Sequence, residues 1–372
     1  MTRSILATLL TVGILVTAGS RWDDLMRAET SQPTQSRPPA ADPSRFLTQP
    51  LLKDIYTADP SAHVFNGRLY VYPSHDIEAG VPPDDLGSHF AMRDYHVFSM
   101  ASVRGPITDH GVVLDIKNVP WAGRQMWAPD AAERNGKYYF YFPAKDKQDI
   151  FRIGVAIGNS PAGPFTAEPQ PIEGSFSIDP AVFKDSDGKA YMYFGGIWGG
   201  QLQRWASGSY KAEDVYPAKD QPALSPKVAR MADDMVSFAE APKDVVIRDE
   251  QGKPLTAGDN ARRFFEASWL HKYTDTYYYS YSTGDTHFIV YATGSSPYGP
   301  FTYRGKILEP VLGWTNHHSI VEFEGKWYLF YHDAQTSGGQ THLRNIKVTE
   351  LHYRPDGSIE TIQAYRPGPS GK

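Results

Sequence analysis

One pattern recurs five times along the chain and restricts its fold more than any other feature. A tight turn leads into a short aromatic run. The copies are Asn66-Gly67-Arg68-Leu69-Tyr70-Val71-Tyr72, Asn135-Gly136-Lys137-Tyr138-Tyr139-Phe140-Tyr141, Asp187-Gly188-Lys189-Ala190-Tyr191-Met192-Tyr193, Thr274-Asp275-Thr276-Tyr277-Tyr278-Tyr279 and Glu324-Gly325-Lys326-Trp327-Tyr328-Leu329-Phe330. Aromatic and β-branched residues suit a pleated, half-buried surface. Asn-Gly and Asp-Gly suit a hairpin, because a type I′ turn needs positive φ at both central residues.

A second repeat follows the first. Ser160-Pro161-Ala162-Gly163-Pro164-Phe165 returns as Ser296-Pro297-Tyr298-Gly299-Pro300-Phe301, and Arg104-Gly105-Pro106-Ile107 is a weaker copy. Each lies beyond another β-prone run, so each unit reads as three or four antiparallel strands. No long amphipathic helical pattern is present. Repeats of this size and content predict an all-β chain folded as a five-bladed β-propeller. The segment 211–263 reads as an insertion between blades 3 and 4. Arg344 to Val348 and Tyr353 to Ile359 should finish the last blade and help close the ring.

The totals narrow the function. Of 372 residues, 13% are aromatic and 23 are tyrosine, a bias that serves strands, cores and sugar-binding surfaces alike. Net charge is −5 and no basic run appears, which argues against nucleic acid as a partner. The absence of cysteine excludes disulfides, thiolate catalysis and Cys-ligated zinc.

Residues 1–18 read as an export signal: Arg3 is the charged head, Ile5 to Ala18 the apolar run, and Val16-Thr17-Ala18 a small-residue cleavage site. The run is too short for a comfortable membrane span, so the expectation is a periplasmic or secreted protein with no membrane contact beyond the signal. Residues 19–50 read as a polar Pro/Ser/Thr-rich linker, and 51–372 as the propeller.

In a propeller the innermost strands line a central channel, so equivalent positions in each blade converge. Here they carry Asp59, Asp130, Asp179, Glu266 and His317. Asp before Pro, as at Asp59-Pro60 and Asp179-Pro180, is ordinarily a turn residue. The shared register ahead of an apolar strand and a turn argues for more than that. Carboxylates crowded on one axis raise each other's cost of ionisation. Glycoside hydrolysis needs such a split pair, one carboxyl protonated and one ionised. Asp130 reads as a structural or supporting residue.

Ala58-Asp59-Pro60, Met126-Trp127-Ala128-Pro129-Asp130 with Asn135-Gly136-Lys137-Tyr138-Tyr139, Ser177-Ile178-Asp179-Pro180, and Arg344 ahead of Tyr353 together resemble glycoside hydrolase family 43 over residues 54–362. That resemblance implies an inverting hydrolase acting on arabinose-, xylose- and some galactose-containing glycans. It implies Asp59 as general base, Glu266 as general acid and Asp179 as the carboxylate that orients the acid and tunes its pKa. It implies that Arg344 reaches the sugar from the last blade. His317 stands where the family places a channel histidine near a calcium ion or its water shell. No cofactor is required, and a structural calcium would be held through water. The plain alternative is that His317 is a hydrogen-bonded channel residue.

Two departures stand out. Glu266 is followed by Ala267-Ser268 where the family often has Gly-Pro, and Glu240-Ala241-Pro242 imitates that pattern upstream. Blade register favours Glu266. In His317-His318 only one side chain can face the channel, and His317 is favoured. Trp127, Trp198, Phe65 and His287 are the expected substrate walls. The substrate is expected to be an oligosaccharide or polysaccharide with terminal arabinofuranosyl or xylosyl residues. The alternatives are an endo-acting arabinanase, a galactan-active hydrolase, or a non-catalytic glycan-binding propeller.

Overall fold

The structure is a computed structural model that describes residues 46–48, 50–284 and 286–363. The segment read as an export signal and most of the polar linker lie outside the described residues. Five sheets follow one another along the chain. Blade 1 comprises Thr57–Phe65, Arg68–His75, Asp94–Met100 and Thr108–Asp115. Blade 2 comprises Asp130–Arg134, Lys137–Asp146, Phe151–Gly158 and Thr166–Ala167, with Ala122–Arg124 also paired to its second strand. Blade 3 is Ala181–Lys184, Ala190–Phe194, Lys227–Arg230 and Lys243–Asp244. Blade 4 is Phe264–Tyr273, Thr276–Thr283, Ile289–Gly294 and Phe301–Leu308, and blade 5 is His318–Phe323, Lys326–Asp333 and Asn345–Leu351. The first strand of each blade touches the first strands of the blades on either side, and the contact of blade 5 with blade 1 completes the circle. This is the five-bladed β-propeller that the repeats predict.

The turn signals act as hairpin chemistry requires. Asn66-Gly67 and Asn135-Gly136 have φ of 53° and 74°, and of 55° and 74°; Glu324-Gly325 has 52° and 74°. At Asp187-Gly188 only the glycine is left-handed, and the turn is longer, closed by the Asp185 N–H on the Lys189 carbonyl.

The aromatic bias has a physical destination. Five apolar clusters fill the five blade-to-blade interfaces. Tyr72 and Phe140 meet between blades 1 and 2, and Tyr193 and Tyr279 between blades 3 and 4. Tyrosine suits these seams because its ring is buried while its hydroxyl reaches a backbone acceptor at the edge. Tyr72 donates to the Pro161 carbonyl at 2.7 Å and Tyr193 to the Pro297 carbonyl at 2.5 Å. Pro161 and Pro297 belong to the two copies of the Ser-Pro-x-Gly-Pro-Phe motif. The motif therefore docks blade 2 against blade 1 and blade 4 against blade 3, and its Phe165 and Phe301 enter the same seams.

Two expectations need correction. Segment 211–263 does not stand outside the blades: Lys227–Arg230 and Lys243–Asp244 are the outer strands of blade 3, and Ile247–Arg248 adds to blade 4 in parallel with Phe301–Leu308. These strands are short and lack aromatic runs, so the repeat pattern passed over them. The linker also ends earlier than expected. Phe46–Thr48 pairs with Asn345–Leu351 and supplies the outermost strand of blade 5. The last blade is thus built from both ends of the folded body. A chain starting at Leu51 should lose about 1–3 kcal/mol of stability, at about 1 kcal/mol per lost backbone hydrogen bond. A thermal melt compared with the longer chain checks this.

Candidate active site

The channel positions sit where the inner strands bend. The pairing register of blade 1 slips between Ala58 and Ser61, and that of blade 4 between Glu266 and Trp269. Bulges of this kind turn a side chain away from the regular pleat. Asp59, Asp179 and Ala267 have φ of 51°, 56° and 62°. Aspartate tolerates that left-handed conformation better than most residues. One pocket is lined by Asp59, Asp179, Glu266, His317, Thr315 and Arg344, together with Trp127, Phe90, Met92 and Ile178.

Arg344 organises this pocket. Its Nε and Nη2 grip Asp76 at 2.8 Å each. Nη1 and Nη2 donate to Asp59 at 3.1 and 3.3 Å, and Nη1 also donates to Thr315 Oγ1 at 2.7 Å. All five guanidinium protons are thereby engaged. Arg344 does reach the pocket from blade 5, but it holds carboxylates rather than offering a free donor to a sugar. Ser74 Oγ donates to Asp59 Oδ2 at 2.6 Å, and the Asp59 N–H donates to His332 Nδ1 at 3.0 Å. His332 is therefore neutral in this pairing; burial and the nearby Arg344 charge push its pKa down to about 3.

These surroundings separate the carboxyl groups electrostatically. Burial works to raise Asp59, but the Arg344 charge leads the contributions that outweigh it and hold its pKa at about 2, with the Ser74 hydrogen bond adding to it and His332 and His317 only when protonated. Glu266 goes the other way. Enclosure raises its pKa well above the ordinary carboxyl range, the charges of Asp179 and Asp59 raise it further, and Arg344 opposes only in part. Among the described residues no donor is hydrogen-bonded to the Glu266 carboxyl, whereas Asp179 Oδ2 accepts the Ala267 N–H at 2.8 Å. Burial and the Asp59 charge raise Asp179 well above the ordinary carboxyl range too, but the Ala267 N–H and Arg344 oppose this, and that hydrogen bond favours negative charge on Asp179 over Glu266. The arrangement can supply one ionised carboxylate and one protonated carboxyl within a single pocket.

His317 lies in the pocket with Nε2 3.7 Å from Asp179 Oδ2, and burial lowers its pKa. His318 points away and meets Ser280 Oγ at 2.6 Å, as strand alternation requires. Asp130 is buried and supporting: it accepts from Ser61, from His63 and from the Val182 N–H, which ties blades 1, 2 and 3 at the axis. Glu240 lies elsewhere, bonded to Tyr298, Lys243 and the Arg230 N–H.

The proposed walls separate into three groups. Trp127 lines the pocket and packs on Phe151 and Phe90. Trp198 stacks on Trp314 at 5.4 Å and meets Phe265, the neighbour of Glu266; His287 packs on the same Trp314 at 4.2 Å. These three rings form a cluster beside the pocket rather than its floor. Phe65 is not brought to the carboxylates. It lies six residues beyond Asp59 on the same strand, about 20 Å away at strand rise, against Tyr70 and Tyr138. It lines the depression at the other end of the channel. Its aromatic character reflects the seam between blades 1 and 2. Sequence reasoning missed Asp76, Thr315, His332, Phe90, Met92 and Trp314. Trp314 precedes the doubled histidine and had a usable signal; the others sit in loops or strand ends with no local motif.

One side of the pocket is closed. A Cβ on Gly199 would fall 2.9 Å from the Leu86 carbonyl oxygen and 3.2 Å from Trp127, and one on Gly87 would fall 2.7 Å from Trp127. The loop between the second and third strands of blade 1 thus meets the Gly195–Gly200 loop of blade 3 over Trp127. A groove cannot run through there.

The family model "Glycosyl hydrolases family 43" matches residues 49–359. The chain belongs to glycoside hydrolase family 43. It is a hydrolase of glycosidic bonds. Among family 43 relatives, a xylosidase/arabinosidase of Bacteroides ovatus is 60% identical over 84% of this chain and 97% of its own length. A xylosidase/arabinosidase 43A of Humicola insolens is 59% identical over 84% of this chain and 98% of its own. A crystal structure of a family 43 β-xylosidase/α-arabinofuranosidase from a compost metagenome, in complex with xylotriose and calcium-free, is 68% identical. It covers 87% of this chain and 98% of its own, with a TM-score of 0.85.

The departure at Ala267 has a structural reading. The left-handed turn there aims the Ala267 N–H at Asp179. Glycine suits that φ, which costs an L-residue about 1–2 kcal/mol. Ala267→Gly should retain activity and change stability by no more than about 1 kcal/mol, the relief offset by backbone entropy. Asp76→Ala should be far worse. It leaves the buried Arg344 charge partly unpaired, at a cost of about 3–5 kcal/mol, read as a lower denaturation midpoint.

Proposed function

We propose that this family 43 enzyme releases terminal xylosyl or arabinofuranosyl residues from oligosaccharides with inversion of configuration. Glu266 acts as general acid and Asp59 as general base. Glu266 gives its proton to the glycosidic oxygen. Asp59 takes a proton from water attacking the opposite face of the sugar ring. Asp179 is a positioning residue: it is anchored by the Ala267 N–H and its charge keeps Glu266 protonated. The opposite displacement of the Asp59 and Glu266 pKa values is the observation that carries the reading. The closure over Trp127 supports action at chain ends rather than along them. The names of the relatives support xylose and arabinose as the sugars, and the xylotriose bound to a 68% identical enzyme supports an oligosaccharide substrate. A purely glycan-binding propeller would keep the aromatic walls without needing the split pair.

Two carboxyl groups suffice for this hydrolysis, so no cofactor is needed. A hydrated calcium ion is proposed for the axis. The donor set fits a hydrated ion better than a protein cage: His317 is buried, and among the described residues neither of its ring nitrogens has a hydrogen-bond partner. His317 would hold the ion, whose charge would steady the neighbouring carboxylates. Export is also proposed, on the strength of residues 1–18; the mature protein in a native host should begin after Ala18, read by N-terminal sequencing.

Glu266→Gln should lower kcat on xylo-oligosaccharides by about 10²–10⁴-fold, and less on aryl xylosides whose leaving group needs no proton. Unchanged turnover of xylotriose would overturn the assignment. The active form needs Glu266 protonated, so kcat/KM falls as pH rises through its elevated pKa. Asp59 stays ionised down to about pH 2, so it does not set an acid limb in the working range. Asp179→Asn removes a charge that raises Glu266 and should move the alkaline limb to lower pH.

A further inference from the structure

We propose that blade 1 carries a site for a divalent ion of the zinc class, formed by His75, Asp94 and His96 and separate from the catalytic pocket. His75 ends the second strand of blade 1, and Asp94 and His96 open the third. Continuing the Val71–Phe98 register places His75 directly opposite Asp94. One ligand atom from each of the three residues lies within 4.8 Å of the others. His75 Nδ1 is 2.6 Å from Asp94 Oδ1, and the two imidazole rings are 4.9 Å apart. The three side chains are 12–21% exposed, open enough for an ion to enter and enclosed enough to hold their rotamers.

A fourth residue completes the pattern. Asp109, on the outer strand, faces His96 Nδ1 with Oδ1 at 2.9 Å and Oδ2 at 3.1 Å, and its own Oδ1 is fixed by the Gly111 N–H. A carboxylate on one ring nitrogen sets the tautomer and leaves the lone pair of Nε2 for a metal. Two imidazoles and one carboxylate with an open fourth position are a set that borderline ions such as Zn²⁺ accept, with bonds of about 2.0–2.2 Å. Adjustments of about 1 Å by partly exposed side chains bring the ligand atoms to that spacing. The ion takes the place of the proton shared between His75 Nδ1 and Asp94, and that proton moves to Nε2 of the same ring, so the ligand imidazole stays neutral.

The placement gives the site a consequence. His75 and Asp94 flank the loop that carries Asp76, Phe90 and Met92, which are the Arg344 anchor and two pocket walls. An ion there clamps the loop at its base, next to the catalytic pocket, without entering it.

The test uses the full-length protein in saturating Ca²⁺, which occupies any hydrated axial site and competes poorly for imidazole. Zn²⁺ is titrated by calorimetry and Co²⁺ by its visible absorption. The expected result is one ion per chain and a melting temperature raised by several degrees. His96→Ala and His75→Ala/His96→Ala should lose this uptake while hydrolysing aryl xylosides at the wild-type rate measured in the same Ca²⁺ without added Zn²⁺, which also shows that they fold. Asp109→Asn should bind about 10–100-fold more weakly. Absence of stoichiometric uptake, or uptake undiminished in His96→Ala, overturns the site.

Discussion

The structure depends on one buried cation. Arg344 immediately precedes the third strand of blade 5, yet its side chain ends on Asp76 and Asp59 of blade 1. Its backbone joins the same seam, with the Thr57 N–H donating to the Arg344 carbonyl at 2.8 Å and the Arg344 N–H donating to Asp76 at 2.8 Å. The interaction that closes the ring is therefore also the one that keeps Asp59 ionised. A buried guanidinium is costly unless its partners are ionised and well aligned. Here two carboxylates and a hydroxyl meet all of its donors. Closure of the propeller and the charge state of one half of the proposed catalytic pair are two readings of the same contact.

Glu266 owes its opposite state first to burial and then to the charges of Asp179 and Asp59, which Arg344 offsets only in part. It sits on blade 4, where the neighbouring carboxylates outweigh the Arg344 charge. The bulge at Glu266–Trp269 and the left-handed Ala267 set this geometry: the turn presents an N–H to Asp179 and leaves Glu266 without one. The proposed acid and base thus differ not in chemistry but in which blade holds them and which neighbours that blade supplies.

Much of this was legible in the sequence, because the propeller repeats. Turn chemistry at Asn66-Gly67 and Asn135-Gly136, the tyrosine runs and the Ser-Pro-x-Gly-Pro-Phe motif marked the blades, and the interface hydroxyl bonds of Tyr72 and Tyr193 explain why those motifs recur. The register also brought Asp59, Asp179, Glu266 and His317 to one pocket. What escaped was non-local. Asp76, Thr315 and His332 matter only through contacts with Arg344 and Asp59, hundreds of residues away in some cases, and no local pattern marks them. Phe65 looked like a sugar platform, but strand length carries it to the far end of the channel. The strand Phe46–Thr48 sits in a polar stretch, and it was hidden because its pairing partner lies at the opposite end of the chain.

The claim that Asp59 and Glu266 act as a base and an acid across an attacking water is tested most directly by the configuration of the first product formed. Proton NMR within the first turnovers on a β-linked xylo-oligosaccharide should show the α-anomer of xylose before mutarotation mixes the two. Initial release of the β-anomer would contradict the account, because it would require a covalent glycosyl intermediate on a carboxylate placed closer than an inverting pair allows.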